Sequence, residues 1–538
     1  MPRLITSSTW RILVGVIGVE FVSGILGAYY TPLTVPLARS AGLADADWNW
    51  VEAAMTLSGA IIIPVMTKVG DRFGHKKALL IAVSLTAGAA WWVVAGGGIV
   101  PVILAFSLMS FSAVWVALEM ALLRSSFGAD TLVDDAAVTA PPTRQASRTP
   151  GQAQSAGVTS PTKAAEAAER VSAASAALIV AFMLGSVGAA LFGGQFFTRS
   201  GGWDALETAL RTGADLSASA AFSDALRLTL LVPAIGVSLL VPLVALLVPE
   251  STRRPREAAD SAGLAFLIGI AVLVVGGLSL VKMLGPAHPG GWAVVVVGLA
   301  AIYPFGRQQL RVSAPTVDLR VLASRSVWPY QTVSVLLGIG YTATQIPLVT
   351  FASSDPAKVG YGLAADSGDV SIIMAAMIVV ISLTAGTLTI FGARLNKLAL
   401  LRAAPFIHAG EFVVFLFWHS EMWHACLAVA IGGLGAGILI AWLPATAANA
   451  APPGKTASLV GLVSLGRVVG TAVGSAVFAV VLATVGRVSG AAAALPGYLT
   501  VFAIALASSL AGGCVLAVAA RPAGGDQLPS QTMEDNNA

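Results

Sequence analysis

Apolar runs about twenty residues long, divided by short polar or charged breaks, make up most of this chain. A membrane-spanning helix needs roughly 20 mostly apolar residues. On that rule the pattern predicts about fourteen helices, over 11–36, 48–67, 78–96, 100–123, 172–196, 226–248, 262–283, 291–306, 327–351, 370–392, 403–419, 423–445, 456–484 and 496–520. The eighth run is short enough for a tilted or partly re-entrant segment. Two stretches break the pattern. Residues 128–170 are rich in Ala, Ser, Thr, Pro and Gln without hydrophobic period, and read as a disordered cytoplasmic insertion, a passive linker between helices 4 and 5. Residues 198–224 carry a weak helical pattern in Trp203, Leu206 and Leu210, which reads as a helix lying on the membrane surface.

Composition turns the pattern into a class. Of 538 residues 56% are hydrophobic and only 11% charged, with a mean hydropathy of +0.83. A water-soluble fold of this size needs far more polar surface, so the chain reads as an all-α integral membrane protein. Secreted, nucleic-acid-binding and soluble-enzyme classes drop out. No P-loop, nucleophile elbow or metal-ligand cluster is present in the sequence, so no enzyme, cofactor, metal or nucleic-acid partner is expected. Cys426 and Cys514 both lie in apolar runs and form neither a disulfide framework nor a metal site. The first apolar run, 12–30, is long enough to span and lacks a cleavage pattern after it.

Charge sets the expected orientation. Lys and Arg gather in 68–77, 253–256, 307–325 and 394–402, while Asp45, Asp47, Asp204, Asp215, Asp224, Asp355, Asp366 and Asp369 fall in the alternate loops. The positive-inside rule then puts both termini in the cytoplasm and requires an even number of spans, in a cell inner (cytoplasmic) membrane. Helices 1–6 (residues 1–250) and 9–14 (327–520) form two six-helix halves, each with a basic loop after its second helix. Residues 251–326 link them and hold helices 7 and 8 as a central hairpin, and 521–538 read as a disordered cytoplasmic tail. Such repeats build many secondary transporters, with the substrate site near mid-membrane between the halves.

Ionisable residues inside a span are costly and are candidates for function. Glu20 lies about nine residues into helix 1, roughly 14 Å deep at 1.5 Å per residue. It is a proton-coupling candidate, or else a neutral glutamate held by a hydrogen bond. Glu52, near the outer end of helix 2, is a second coupling candidate, with snorkelling to the headgroups as its plain alternative. His408 and Glu411 are a turn apart on helix 11, a local pair with too few ligands for a metal. Arg467 in helix 13 needs a partner, a substrate anion or a carboxylate. Tyr29, Tyr330, Gln331, Tyr341 and Gln345 join it as candidate cavity or substrate groups, although aromatics more often simply pack.

The sharpest motif is 67–77, Thr-Lys-Val-Gly-Asp-Arg-Phe-Gly-His-Lys-Lys, entered from helix 2. Asp71, Arg72, Gly74 and Lys76 match the pattern G-x-x-x-D-R-x-G-R-K/R, with Thr67 and His75 departing from it. Trp50 and Pro64 fall at the expected spacings upstream, Arg467-x-x-Gly470-x-x-x-Gly474 matches a helix 13 pattern, and Pro315-Thr-Val-Asp318-Leu319-Arg320 looks like the lead-in to helix 9. The chain thereby resembles the major facilitator superfamily, in particular its 14-helix drug:proton antiporter branch. The resemblance implies alternating access around a central cavity, proton-coupled efflux of an amphipathic organic compound, and partners limited to substrate, protons and membrane lipid, as a monomer. It implies that Glu119 pairs with Arg72 in a state-dependent switch formed with Asp71, Gly74 and Lys76. It also implies that Asp71 faces the start of helix 13 near 455–458, and that helix 11 is peripheral. Two features depart from the branch. Ala189 and Ala190 replace the Gly-Pro of its helix 5 motif, although Gly193 and Gly194 fit, and Phe106 stands near the place of its helix 4 Arg. Export of a lipid or natural product without proton antiport, or a sensor or scaffold that does not transport, are the other readings.

Overall fold

The computed structural model describes residues 7–126, 161–250, 260–285, 288–312, 315, 319–322, 324, 327–449, 456–486 and 492–519. Its first part is α1 (Ser7–Tyr29), α2 (Asp45–Phe73), α3 (His75–Ala95), α4 (Ile99–Met109), α5 (Trp115–Ser126), α6 (Pro161–Arg199), α7 (Gly202–Thr212) and α8 (Ala220–Leu247). Then come α9 (Ser261–Leu284), α10 (Pro289–Ala300) and α11 (Ile302–Gln309). The last part is α12 (Trp328–Leu337), α13 (Gln345–Ala352), α14 (Ser367–Phe391), α15 (Lys397–Phe417), α16 (Met422–Asn449), α17 (Thr456–Thr484) and α18 (Leu495–Ala519). Among the described residues 13 helical segments are long and apolar enough to cross a membrane, and α9, 24 residues long, occupies the place expected for helix 7. The all-α membrane architecture is as the apolar pattern predicts.

Several boundaries differ, each for a local reason. The first helix ends at Tyr29 rather than running on to 36, because Pro32 sits in a 3-10 turn, Thr31–Leu33, before a short helix Thr34–Ser40. Helix α6 begins at Pro161, so the last ten residues of the stretch read as disordered, 161–170, are helical, with Pro at the first position where its missing N–H costs nothing. Residues 127–160 and 520–538 lie outside the described residues. Helix α15 starts at Lys397 rather than 403, since the Asn396 side chain accepts from Ala399 N at 3.1 Å and caps it. The short eighth run is extended by α11 after a break at Ala301. The predicted surface helix is α7, which buries Leu206 against the bundle and leaves Leu210 exposed.

Close helix crossings show an internal repeat. In the first part α1 crosses α6 at Gly24 and Gly185, where an added Cβ would meet Phe182 O at 2.1 Å and Phe21 O at 2.0 Å. In the last part α12 runs into a π-helical turn, Gly338–Thr342, that crosses α17 at Gly338 and Gly470. There an added Cβ would meet Arg467 O at 2.1 Å and Val335 O at 1.9 Å. In both crossings the residue after the second glycine donates a hydroxyl hydrogen bond to the carbonyl of the first: Ser186 to Gly24 at 3.1 Å and Thr471 to Gly338 at 3.4 Å. Paired glycines allow backbones to approach this closely in lipid, where packing rather than water drives association. The two parts meet where α2 packs along α17 and α6 along α14. At the end of the bundle away from 67–77, Gly194 N donates to Ser371 Oγ at 3.0 Å and Gln195 Nε2 to Gly368 O at 3.0 Å. At that end too, Tyr498 OH donates to Asp45 Oδ2 at 3.2 Å.

Candidate functional site

Helix α1 presents Glu20 inward among Val16 and Val19, leaving it 4% exposed. Helix α5 presents Glu119 from the other side, among Leu118, Leu122 and Leu123, at 0%. The two carboxyl groups are neighbours. Among the described residues no donor reaches either Glu119 oxygen or Glu20 Oε2, and no cation pairs with them. Two ionised carboxylates this close, with water and counter-charge excluded, repel and lose their hydration. The arrangement therefore suits a shared proton that either carboxyl can hold, titrating as a pair.

The expected pairing of Glu119 with Arg72 is not what the structure places there. Leu118, one residue earlier, is the one turned toward α2, lying against Gly70, and the 100° step to Glu119 turns its carboxyl to α1 instead. Arg72 is exposed and lies over the Phe73 ring at 5.3 Å. The rest of the 67–77 motif serves the loop itself. Gly74 separates α2 from α3 at φ +106°, a conformation that favours glycine, and Glu250 Oε1 stands 2.3 Å from where its Cβ would be. His75 Nε2 meets Asp71 Oδ1 at 3.3 Å. Lys76 Nζ donates to Ala245 O at 2.9 Å and Arg11 Nη2 to Leu246 O at 2.8 Å, so two cations cover the carbonyl end of α8. Helix α17 packs against α2 as the resemblance implies, but 450–455 and the side chains of 456–462 lie outside the described residues.

The remaining candidates divide. Tyr29 is buried and its hydroxyl is spent on Thr229 O at 2.9 Å, which makes it a packing residue of the α1–α8 contact. Glu52 is partly buried on α2, without an ion pair among the described residues. Tyr330 is buried at the start of α12, and Gln331 lies against Gly466 of α17. Tyr341, in the π turn, has Gln345 as its side-chain partner and Arg467 within its field. That turn also meets helix α15. The Tyr341 ring stands edge-on to His408 with centroids 6.1 Å apart, and His408 and Glu411 are 1% and 5% exposed. Helix α15 itself packs on α16 and α18 and leaves Phe406, Val413 and Phe417 exposed. The pair was visible in the sequence, but only packing brings it to Tyr341.

One cationic residue went unread in the sequence. Phe106, at the place of the antiporter Arg, lines a cleft with Ser40, Gly96, Leu226 and Arg227. Arg227 belongs to α8, so nothing in the sequence near Phe106 pointed to it.

No protein-family model and no curated protein matches the sequence. Solved structures do. The chain is similar to the nucleoside transporter NupG at 12% identity over 94% of this chain and 99% of that one, with a TM-score of 0.57. It is similar to the peptide transporter POT in complex with sulfate at 14% identity over 94% of each chain, TM-score 0.60. It is also similar to the human organic anion transporter MFSD10 at 14% identity over 95% of this chain and 100% of that one, TM-score 0.52. At these identities the likeness is one of fold, and the chain has the all-α, major-facilitator-type membrane fold of these proteins.

Proposed function

We propose that this chain is a secondary active transporter of a cytoplasmic membrane, exporting an amphipathic organic compound in exchange for protons by alternating access. Proteins of the same fold include transporters of nucleosides, peptides and organic anions, and the loop at 67–77 resembles that of drug:proton antiporters. The observation that carries proton coupling is the buried Glu20–Glu119 carboxyl pair, sealed from other charges among the described residues. A proton taken up there removes the repulsion between the carboxyls and lets α1 and α5 close on each other. Its release restores the repulsion and favours the alternative packing. The two halves then rock against each other along the α2–α17 and α6–α14 contacts, while the Gly24–Gly185 and Gly338–Gly470 crossings hold each half together.

The test uses ethidium as the amphipathic probe, in cells expressing the chain at several external pH values. The parent is expected to lower ethidium accumulation in a pH-dependent way. Glu20→Gln and Glu119→Gln are each expected to reach the membrane folded and lose that pH dependence. An efflux-against-pH profile left unchanged by both substitutions removes the pair as the coupling site.

A further inference from the structure

The second half holds an ionisable site that the Glu20–Glu119 reading does not use. His408 and Glu411 are fully within the bundle, with His408 Nε2 facing Glu411 Oε2 at 3.8 Å. The other ring nitrogen, Nδ1, is 2.9 Å from Ser509 Oγ on α18. Nε2 itself has no hydrogen-bond partner. The neighbouring helix is carved to admit the pair. On α16 a Cβ at Gly432 would sit 1.6 Å from Glu411 Oε2, and one at Gly435 would sit 2.5 Å from His408 N. The Glu411 carboxyl is thus lodged where any larger residue at 432 would expel it, and Gly435 lets the two helix backbones meet at His408. Phe412 and Tyr341 close the ring faces, with centroids 5.3 and 6.1 Å from the imidazole.

We propose that His408 and Glu411 form a proton-binding site in the second half, set against Tyr341 of the π turn. With Nδ1–H donated to Ser509, the Nε2 lone pair faces Glu411. A proton on Glu411 Oε2 then passes to Nε2, turning a neutral acid and neutral imidazole into carboxylate and imidazolium with no change of net charge. Loss of the proton leaves the pair with one negative charge. At 3.8 Å the two atoms stand about 1 Å beyond hydrogen-bond length, and a rotation of the Glu411 carboxyl out of the Gly432 notch closes that gap. The groups facing the pair are few. Helix α18 brings Ser509, with Ser508 beside it against Gly340, and the π turn brings Tyr341. Helix α16 faces the pair with Gly432 and Gly435, His424 and Cys426 lying earlier on the helix, and Arg402 on α15 turns to Leu516 O at 3.2 Å. The π turn, the one such turn among the described residues, is the element able to shift as the pair titrates.

This inference extends proton binding to the other half, and its test reads protonation rather than transport, so it can fail while the Glu20 reading stands. The full-length protein in lipid nanodiscs is titrated with pH while infrared absorption follows protonated carboxyl groups. Glu411→Gln is expected to remove one titrating carboxyl band. His408→Gln is expected to move the midpoint of that band by about one pH unit, a tenfold change in proton affinity. Ser509→Ala, a milder change that serves if the buried substitutions unfold the protein, is expected to move it in the same direction by less. Glu20→Gln removes a different band and leaves this one in place. A titration in which Glu411→Gln matches the parent, or a midpoint unmoved in both His408→Gln and Ser509→Ala, overturns the proposal and leaves the pair as packing.

Discussion

Single residues decide two properties here, and they respond differently to substitution. Glu20 and Glu119 are isosteric with Gln, which keeps the volume and removes the ionisable proton. The double substitution is expected to leave the melting temperature within a few degrees of the parent or above it, because the cost of holding a carboxylate in a buried site disappears. A thermal melt in detergent reads this. A fall of more than that in the double variant contradicts an unpaired carboxyl site. Gly74 is the opposite case. At φ +106° any side chain is strained, so Gly74→Ala is expected to cost about 1–3 kcal/mol. A melting temperature equal to the parent's would contradict it. Glu20 was legible in the sequence because an acid in an apolar run has few innocent explanations. The partner of Glu119 was not, because which way a helical side chain points depends on a rotation of 100° per residue that pattern alone leaves open. The spent hydroxyl of Tyr29 was hidden for a similar reason, since Thr229 is far along the chain and enters only through packing.

At the scale of elements, the account rests on close crossings, and position rather than residue type sets their energies. Gly24 and Gly27 are both glycines of α1. A Cβ at Gly24 would lie 2.1 Å from Phe182 O, whereas at Gly27 the nearest atom is 3.8 Å away. Gly24→Ala is expected to cost about 1–3 kcal/mol through overpacking, and Gly27→Ala close to nothing. Gly338→Ala in the second half is expected to match Gly24→Ala. Chemical or thermal unfolding of the three variants side by side checks this, and equal stability of Gly24→Ala and Gly27→Ala would contradict the crossing. Most helices were legible from length and apolarity, the surface helix α7 among them. The interruptions were not. Nothing in the run 327–351 marks a π turn at Gly338–Thr342, because that turn answers to a neighbouring backbone, Arg467 O, rather than to local preference. The early start of α15 was readable from Asn396 as a cap, but the polar residues around it masked the signal.

For the whole molecule, the interface between halves is fastened at the end away from 67–77 by few polar bonds among the described residues, those of Gly194, Gln195, Thr198 and Asp45. A few kcal/mol shifts a two-state population strongly. Ser371→Ala together with Gln195→Ala is therefore expected to populate the state open at that end, with little change in melting temperature. Cysteine labelling of residues lining the α6–α14 contact from each side of the membrane reads the shift, and unchanged labelling contradicts it.

The central claim is that a proton bound at Glu20 and Glu119 drives movement of an organic compound. Its most direct measurement is proton flux in proteoliposomes holding the purified chain and a trapped pH indicator, with amphipathic compounds, ethidium first, added outside. A transported compound is expected to change the internal pH with the parent protein, and Glu20→Gln is expected to abolish the proton signal while still binding the compound. Compound movement with no proton movement, or the same proton movement in Glu20→Gln as in the parent, would contradict it.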